Sequence, residues 1–267
     1  MRFAIIIPAA GFSSRFADAL GGEGRSKLDE DLGGRPVLQR TVELFHKRDD
    51  VIQIVVAGPH ADDAWEAFSQ RHADKLAILG VTLCRGGQTH RYETVRAALA
   101  EIRDDATYIA VHDAARPCTP SEVIGRVFDA AAKFDAVIPA VEVGDTLKRV
   151  SEQEEAAAEA DPIDAILGAD PDDKPKARQV EATLDRTRLV AVQTPQVFKA
   201  ELLRRAYGQD DLTSTDDAQL VERLGEPVYV VDGDPRNIKI TRPADVRLAR
   251  SILGVSGPQG RPAHKRF

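Results

Sequence analysis

The sequence predicts an α/β fold: a mostly parallel sheet covered by helices on both faces. Three observations carry this. Short, nearly continuous apolar runs recur, as in "FAIIIPAA", "VIQIVVAG" and "YIAVHDAARP"; strands buried on both faces read this way. Between them lie longer stretches with apolar residues at helical spacing. The two alternate regularly from Phe3 to about Val143, the pattern of successive strand–helix–strand units.

Taken in order, "FAIIIPAA" is a strand that ends in Pro8-Ala9-Ala10-Gly11. "PVLQRTVELFHK" follows as a helix with Val37, Leu38, Val42 and Phe45 on one face. "VIQIVVAG" is a strand, "DDAWEAFSQRHA" a helix and "VTLCRGG" a short strand. "TVRAALAEI" aligns Val95, Ala98, Leu99 and Ile102 as a helix, and "YIAVHDAARP" is a strand running into a polar loop. "PSEVIGRVFDAAAKF" is a helix started by Pro120 and Ser121, and "AVIPAVEV" is another strand. The pattern then breaks. Residues 151–179 are acidic, alanine-rich and punctuated by Pro162, Pro171 and Pro175. No sheet strand is expected there, only short helices near 155–160 and 163–167 in a mobile surface excursion.

Strand-like sequence resumes at "RLVAVQTPQVF". The helix "KAELLRRAYG" follows, then "STDDAQLVERLG", a second helix with Thr215 or Ser214 as N-cap. "PVYVVDGDPRNIKITRP" predicts two strands around a turn, and Pro243 begins the closing helix "PADVRLARSILG". The tail, 256–267, is rich in Pro and Gly, basic, and read as disordered. The plan is therefore one domain over 1–255 with an excursion and a tail.

Composition narrows the function. With 43% hydrophobic and 30% charged residues the chain is of ordinary globular make-up. A net charge of −7 argues against a general nucleic-acid binder. Any anionic ligand must meet a local cluster of Arg and Lys. Cys84 and Cys118 are the only cysteines, too few for a disulfide framework or structural zinc, so a reducing, cytoplasmic setting is expected. The apolar run at Ile5–Ile7 is too short for a signal peptide and is broken by Pro8 and Gly11. No stretch approaches the roughly 20 apolar residues of a membrane span.

Ligands of such sheets bind at the carboxyl ends of the strands, which directs attention to Pro8–Lys27, Arg85–Thr94, His112–Pro117 and Gly144–Lys148. The small residues after Ile7 allow a backbone to approach a flat ligand closely. Neither the P-loop pattern nor the GxGxxG dinucleotide pattern is present in this stretch. An ordinary glycine turn is the competing reading of the segment alone.

The other strand tails add specificity. "PAAGFSSRF…SK…GGRPVL" resembles the opening loop of nucleotidyltransferases that make NDP-sugars and related compounds. "VHDAARP", "DTLKR", "LDR", "TPQVF", "TDDAQLVERLG" and "GDPRNIKITRPADV" narrow the resemblance to the 2-C-methyl-D-erythritol 4-phosphate cytidylyltransferases of the non-mevalonate isoprenoid route. It runs from about Phe3 to Leu253. "VHDAARP" and "NIKITRP" are its specific parts.

The resemblance implies a Rossmann-like, mostly parallel mixed sheet, a β-arm at about 142–192 that projects across a homodimer, and transfer of CMP from CTP to a polyol phosphate. The nucleophile is a phosphate monoester with a second pKa near ~6, already largely anionic at neutral pH. The demand is for cations that align two anions and take up charge in the transition state, with no need of a strong base. By resemblance these are Arg15, Lys27 and Lys239. Pro8, Ala9, Ala10, Gly11 and Phe12 form the nucleotide shelf, and Gly86, Gly87 and Thr94 read base and ribose. Asp113, Arg116, Thr146 and Arg186 bind substrate, the last two from the arm. Mg²⁺ is implied, held mostly by CTP oxygens with Asp113 nearby. His112 reads as structural. The chain departs from the family in having Ser26-Lys27-Leu28 where Pro-Lys-Gln is usual, Gln88 where an acid is common, and one extra residue before Arg91.

Two other functional classes stay open: a cytidylyltransferase for another polyol phosphate such as ribitol 5-phosphate, and a non-catalytic nucleotide-binding dimer. Asp232-Gly233-Asp234 also offers a glycosyltransferase-like DxD, against which a simple turn is the competing reading.

Overall fold

A computed structural model describes residues 1–11, 16, 18–19, 26–156 and 176–257. The chain forms two compact units, Glu142–Ala191 and the remainder. In the main unit the strands are β1 (Phe3–Pro8), β2 (Val51–Gly58), β3 (Thr82–Arg85), β4 (Tyr108–Val111), β5 (Ala136–Glu142), β11 (Gln196–Lys199) and β12 (Tyr229–Asp232). They pair in the order β12-β5-β11-β4-β1-β2-β3, and β10 (Val190–Val192) also pairs with β5. All neighbours in that order are parallel except β11, which runs antiparallel to both β4 and β5.

The helices are α1 (Val37–His46), α2 (Asp62–Ile78), α3 (Arg91–Ala100), α4 (Ser121–Ala131), α5 (Ala200–Tyr207), α6 (Asp217–Arg223) and α7 (Pro243–Leu253). They cover both faces of the sheet, and β1 shows why its sequence is apolar throughout. Phe3, Ile5 and Ile7 pack with residues of α1, α2, α4 and α7 on one face, while Ala4 and Ile6 pack with residues of α3, α5 and α6 on the other. Alternate side chains point to opposite faces, so a strand covered twice has no polar side.

The chain builds outward from β1 through β2 to β3, then crosses back to lay β4 on the other flank of β1. The order therefore reverses between β1 and β4, and a crevice opens at such a point beyond the carboxyl ends of the strands.

Several elements differ from the sequence reading. α2 runs to Ile78, well past "DDAWEAFSQRHA". The N-cap of α6 is Asp216, whose carboxylate accepts the Gln219 amide; Thr215 instead donates its own amide to the Gln219 side chain. "NIKIT" is not a strand. Its backbone bonds go to its own turn and to the 113–116 loop, with the Ile240 amide donating to the Ala115 carbonyl at 2.8 Å.

In the second unit β6 (Lys148–Val150) pairs antiparallel with β9 (Val180–Thr183), and β7 (Glu155–Ala156) with β8 (Lys176–Ala177). Strand pairing thus enters the acidic excursion, where a helix from residue 155 was expected. The Ser151 amide donates to the Gln179 carbonyl at 2.9 Å and carries the β6–β9 pairing onward. All three prolines lie beyond the paired residues. The helix expected at 163–167 and the tail from 258 lie outside the described residues.

Candidate active site

The cleft lies at the β1/β4 reversal. Its floor is Pro8, Ala9, Ala10 and Gly11, its rim the Gly87–Arg91 loop with Thr94, and its far wall Asp113, Ala114 and Ala115. Lys27 and Lys239 both line it. Three of the four strand tails singled out in the sequence thus share one cavity with Lys239, while the fourth, Gly144–Lys148, belongs to the second unit.

Close packing and hydrogen bonds together hold the rim. Gly86 is buried behind the shelf, and a Cβ there would meet the Gly58 carbonyl and Thr94 Cγ2 at 2.8 Å and Ala10 Cβ at 2.9 Å. Only glycine allows β3's tail to press so closely on β1's. The Glu93 carboxylate then accepts the amides of Thr89 (2.9 Å) and His90 (3.2 Å), capping α3. The Thr94 hydroxyl accepts the Gly87 amide at 3.1 Å. Gln88 on the rim meets His60 Nε2 at 3.1 Å.

Lys27 begins a single 3-10 turn, Lys27–Asp29. Leu28 is buried in the core. The Asp29 carboxylate bonds His72 Nε2 and Arg71 Nη1 of α2, each at 2.7 Å. Burial works to raise the Asp29 carboxyl, but its bonds to His72 and Arg71 outweigh that and hold it below the usual range. The turn carrying the cleft's first lysine is therefore fastened at two points.

Asp113 is the carboxylate of the cleft. Lys239 Nζ lies 3.0 Å and Arg116 Nε 3.2 Å from Oδ2, and Arg91 Nε 3.7 Å from Oδ1. Burial alone would raise its pKa; the charges of Lys239, Arg91 and Arg116 overturn this and hold the group far below the ordinary carboxylate range. Asp113 is thus ionised throughout the physiological range.

The loop carrying Asp113 is rigidly supported. The Asp113 amide donates to Thr194 Oγ1 at 3.1 Å, Thr194 Oγ1 meets His112 Nδ1 at 3.2 Å, and His112 Nε2 meets the Arg116 carbonyl at 3.2 Å. One assignment satisfies every group: the imidazole is neutral, donates from Nε2 and accepts from the Thr194 hydroxyl at Nδ1. Burial agrees, lowering the His112 pKa to about 4. Thr41 of α1 donates to the Ala114 carbonyl at 2.9 Å. Beneath lies Asn237, wholly buried. Its side chain donates to the Thr194 carbonyl (2.9 Å) and Gln193 Oε1 (3.2 Å), and accepts from Thr119 (2.8 Å). Its own carbonyl accepts from Arg116 Nη1 at 2.7 Å.

The placements of the sequence candidates are mixed. Lys27, Lys239, Pro8, Ala9, Ala10, Gly11, Gly87, Thr94 and Asp113 line the cleft, and Gly86 lies behind it. Arg116 is turned inward to Asp113 and Asn237 and is not part of the lining. Thr146 and Arg186 belong to the second unit, where both are exposed and Arg186 donates to the Gly144 carbonyl. Arg15 and Phe12 lie outside the described residues. Asp234 of the DxD pairs with Arg236 at 2.7 Å and caps its own turn, away from the cleft. Sequence reasoning missed Arg91, Asn237, Gln193 and Thr194. "TPQ" and "NIKIT" signalled that something was fixed there, yet only their meeting in space shows what.

The family model for 2-C-methyl-D-erythritol 4-phosphate cytidylyltransferase matches residues 3–165 and 154–255. Proteins of that name from Frankia casuarinae and Rhodococcus jostii are 40% and 39% identical to the chain over 260 and 249 residues. These alignments span 96% and 93% of the chain, and 83% and 93% of the relatives. A crystal structure of 4-diphosphocytidyl-2C-methyl-D-erythritol synthase superposes with a TM-score of 0.69 at 32% identity, covering 94% of this chain and 98% of that one. The Thermus thermophilus cytidylyltransferase gives 0.66 at 29% identity, covering 96% and 100%. With the shelf, the "HDAARP" loop and Lys239 of "NIKIT" sharing one cleft, and with near full-length likeness in sequence and structure, the chain belongs to the 2-C-methyl-D-erythritol 4-phosphate cytidylyltransferase family.

Proposed function

We propose that the protein joins CTP to 2-C-methyl-D-erythritol 4-phosphate. An oxygen of the acceptor's phosphate attacks the α-phosphorus of CTP, a new P–O bond forms, and the bond to the β-phosphate oxygen breaks to release pyrophosphate. The observation that carries this reading is the shared cleft of Lys27, Lys239 and the small-residue shelf Ala9–Gly11. A nucleotide lies flat on the shelf while its phosphates meet the two amines. Two anionic reactants need this charge compensation far more than they need a base. Arg15, which follows the shelf in sequence, completes the set, and Gly86, Gly87 and Thr94 set the base and ribose end.

Asp113, in the same cavity as the shelf, accepts from substrate hydroxyls, those of the CTP ribose included, through Oδ1, its less occupied oxygen. Arg116 keeps that carboxylate ionised and its loop closed. Mg²⁺ fits here as a partner of the triphosphate. Its ligands would come chiefly from phosphate oxygens, with Asp113 as the nearby protein carboxylate. Bound there, it would neutralise phosphate charge.

The reading includes a homodimer in which Thr146 and Arg186 reach the partner's site. Its support is the apolar surface at Val150, Val180, Leu189, Val190 and Val192, each more than a third exposed, which a second copy would cover. A reducing, cytoplasmic setting accords with two unpaired cysteines. Among the described residues, no helix is long and apolar enough to cross a membrane.

Pyrophosphate release, assayed with CTP and either 2-C-methyl-D-erythritol 4-phosphate or ribitol 5-phosphate, tests the proposal. Turnover only with the methylerythritol acceptor is expected. Lys239→Met and Lys27→Met should each raise the barrier by ~2–4 kcal/mol, about 30- to 1000-fold in kcat. Activity on ribitol phosphate alone, or unchanged turnover in both variants, overturns it.

A further inference from the structure

The "TDDAQ" stretch at 215–219 has no part in the chemistry above, yet Asp217 within it is wholly buried. A carboxylate without access to water is tolerated only when paired and hydrogen-bonded. Both oxygens of Asp217 are engaged: Oδ1 accepts from the buried Tyr207 hydroxyl at 2.5 Å, and Oδ2 from Arg91 Nη2 at 2.7 Å. Arg91 is the first residue of α3, lines the cleft and keeps 30% of its side chain exposed. Its other edge faces the catalytic cleft's carboxylate, with Nε 3.7 Å from Asp113 Oδ1.

That distance is the informative quantity. A guanidinium free to meet a carboxylate closes to bonds of about 2.7–2.9 Å, commonly two in parallel. Arg91 makes its short bond to Asp217 and stands off from Asp113. Meanwhile Lys239 and Arg116 both use Oδ2. Among the described residues Oδ1 is thereby left without a short protein partner, on a side chain that lines the cleft. Burial acts to lower the Arg91 pKa, but the charges of Asp217 and Asp113 reverse this and keep it fully cationic.

We propose that Asp217, assisted by Tyr207, is a positioning residue: it draws Arg91 back by its Nη2 edge, so that Asp113 Oδ1 stays open to accept from the nucleotide's hydroxyls. This rests on the cytidylyltransferase reading. Losing Asp217 releases Arg91 to close on Asp113 and occupy that oxygen. The effect on the nucleotide therefore passes through Asp113, which a merely structural Asp217 would not require.

The test is a double-mutant cycle on CTP affinity, measured by titration calorimetry, with pyrophosphate release as second readout. Asp217→Asn should weaken CTP binding about 10- to 100-fold, the range seen when the group orienting a site ligand is lost. Arg91→Lys should weaken it similarly, since an ammonium has no second edge for Asp217. Because Arg91 is partly exposed, this variant tests the idea even if Asp217→Asn folds poorly. In an Asp113→Asn background either change should add less than about threefold. CTP affinity within about threefold of wild type in Arg91→Lys, or a full multiplicative loss on top of Asp113→Asn, refutes the positioning role. Wild-type protein that neither binds CTP nor turns it over refutes the cytidylyltransferase reading itself, and the positioning role with it.

Discussion

Replacing Asn237 with alanine probes the join between the two motif loops. The side chain is wholly buried and makes three hydrogen bonds: to the Thr194 carbonyl (2.9 Å), to Gln193 Oε1 (3.2 Å) and from Thr119 Oγ1 (2.8 Å). At about 1 kcal/mol net for each bond, Asn237→Ala should cost about 3 kcal/mol. For a chain of this size each kcal/mol moves Tm by roughly 2–4 °C, so a fall of roughly 6–12 °C is expected by calorimetry or circular dichroism at pH 7. Turnover should fall as well, because Asn237 offers its carbonyl to Arg116 and lies two residues before Lys239. A Tm within about 2 °C of wild type would show that backbone contacts alone hold the loop, and the reasoning from side-chain satisfaction would be wrong.

His112 predicts a pH dependence of stability. Its folded-state pKa is lowered from 6.5 to about 4 by burial. The unfolded chain therefore binds more protons between those values, so the stability His112 contributes is whole above pH 6.5 and is lost as pH falls towards 4. The loss totals about 3 kcal/mol over the window. His112→Gln should lack this component; parallel pH profiles for both proteins in guanidinium unfolding would contradict it. Gly86→Ala should cost about 1–3 kcal/mol by overpacking and weaken CTP binding through the displaced shelf at Ala10. Unchanged Tm and CTP affinity would show that the β3 tail yields easily.

Much of the fold was legible because period and punctuation are local. Ile5–Ile7 announces a strand covered on both faces, and Pro120 with the spacing of Val123, Ile124, Val127 and Phe128 announces α4. The reading failed where long-range pairing decides. "NIKIT" alternates like a strand, yet its backbone is taken by the Ala115 carbonyl and its own turn. Glu155 and Ala156 sit in an alanine-rich, acidic run and still pair, with Lys176 and Ala177, four residues on from the Ser151–Gln179 bond that ends the β6–β9 ladder.

The same division holds for the site. The sequence by itself determined which chemistry is on offer: small residues after a buried strand, lysines at 27 and 239, and an aspartate in "HDAARP". Only the tertiary structure decided what each charge faces. Asp29 meets His72 of α2, Arg116 turns inward to Asn237, and Arg91 divides its guanidinium between Asp113 and Asp217, a residue 126 positions away. A charge's effect depends on burial and on neighbours within a few ångströms, and folding, not chain order, sets both.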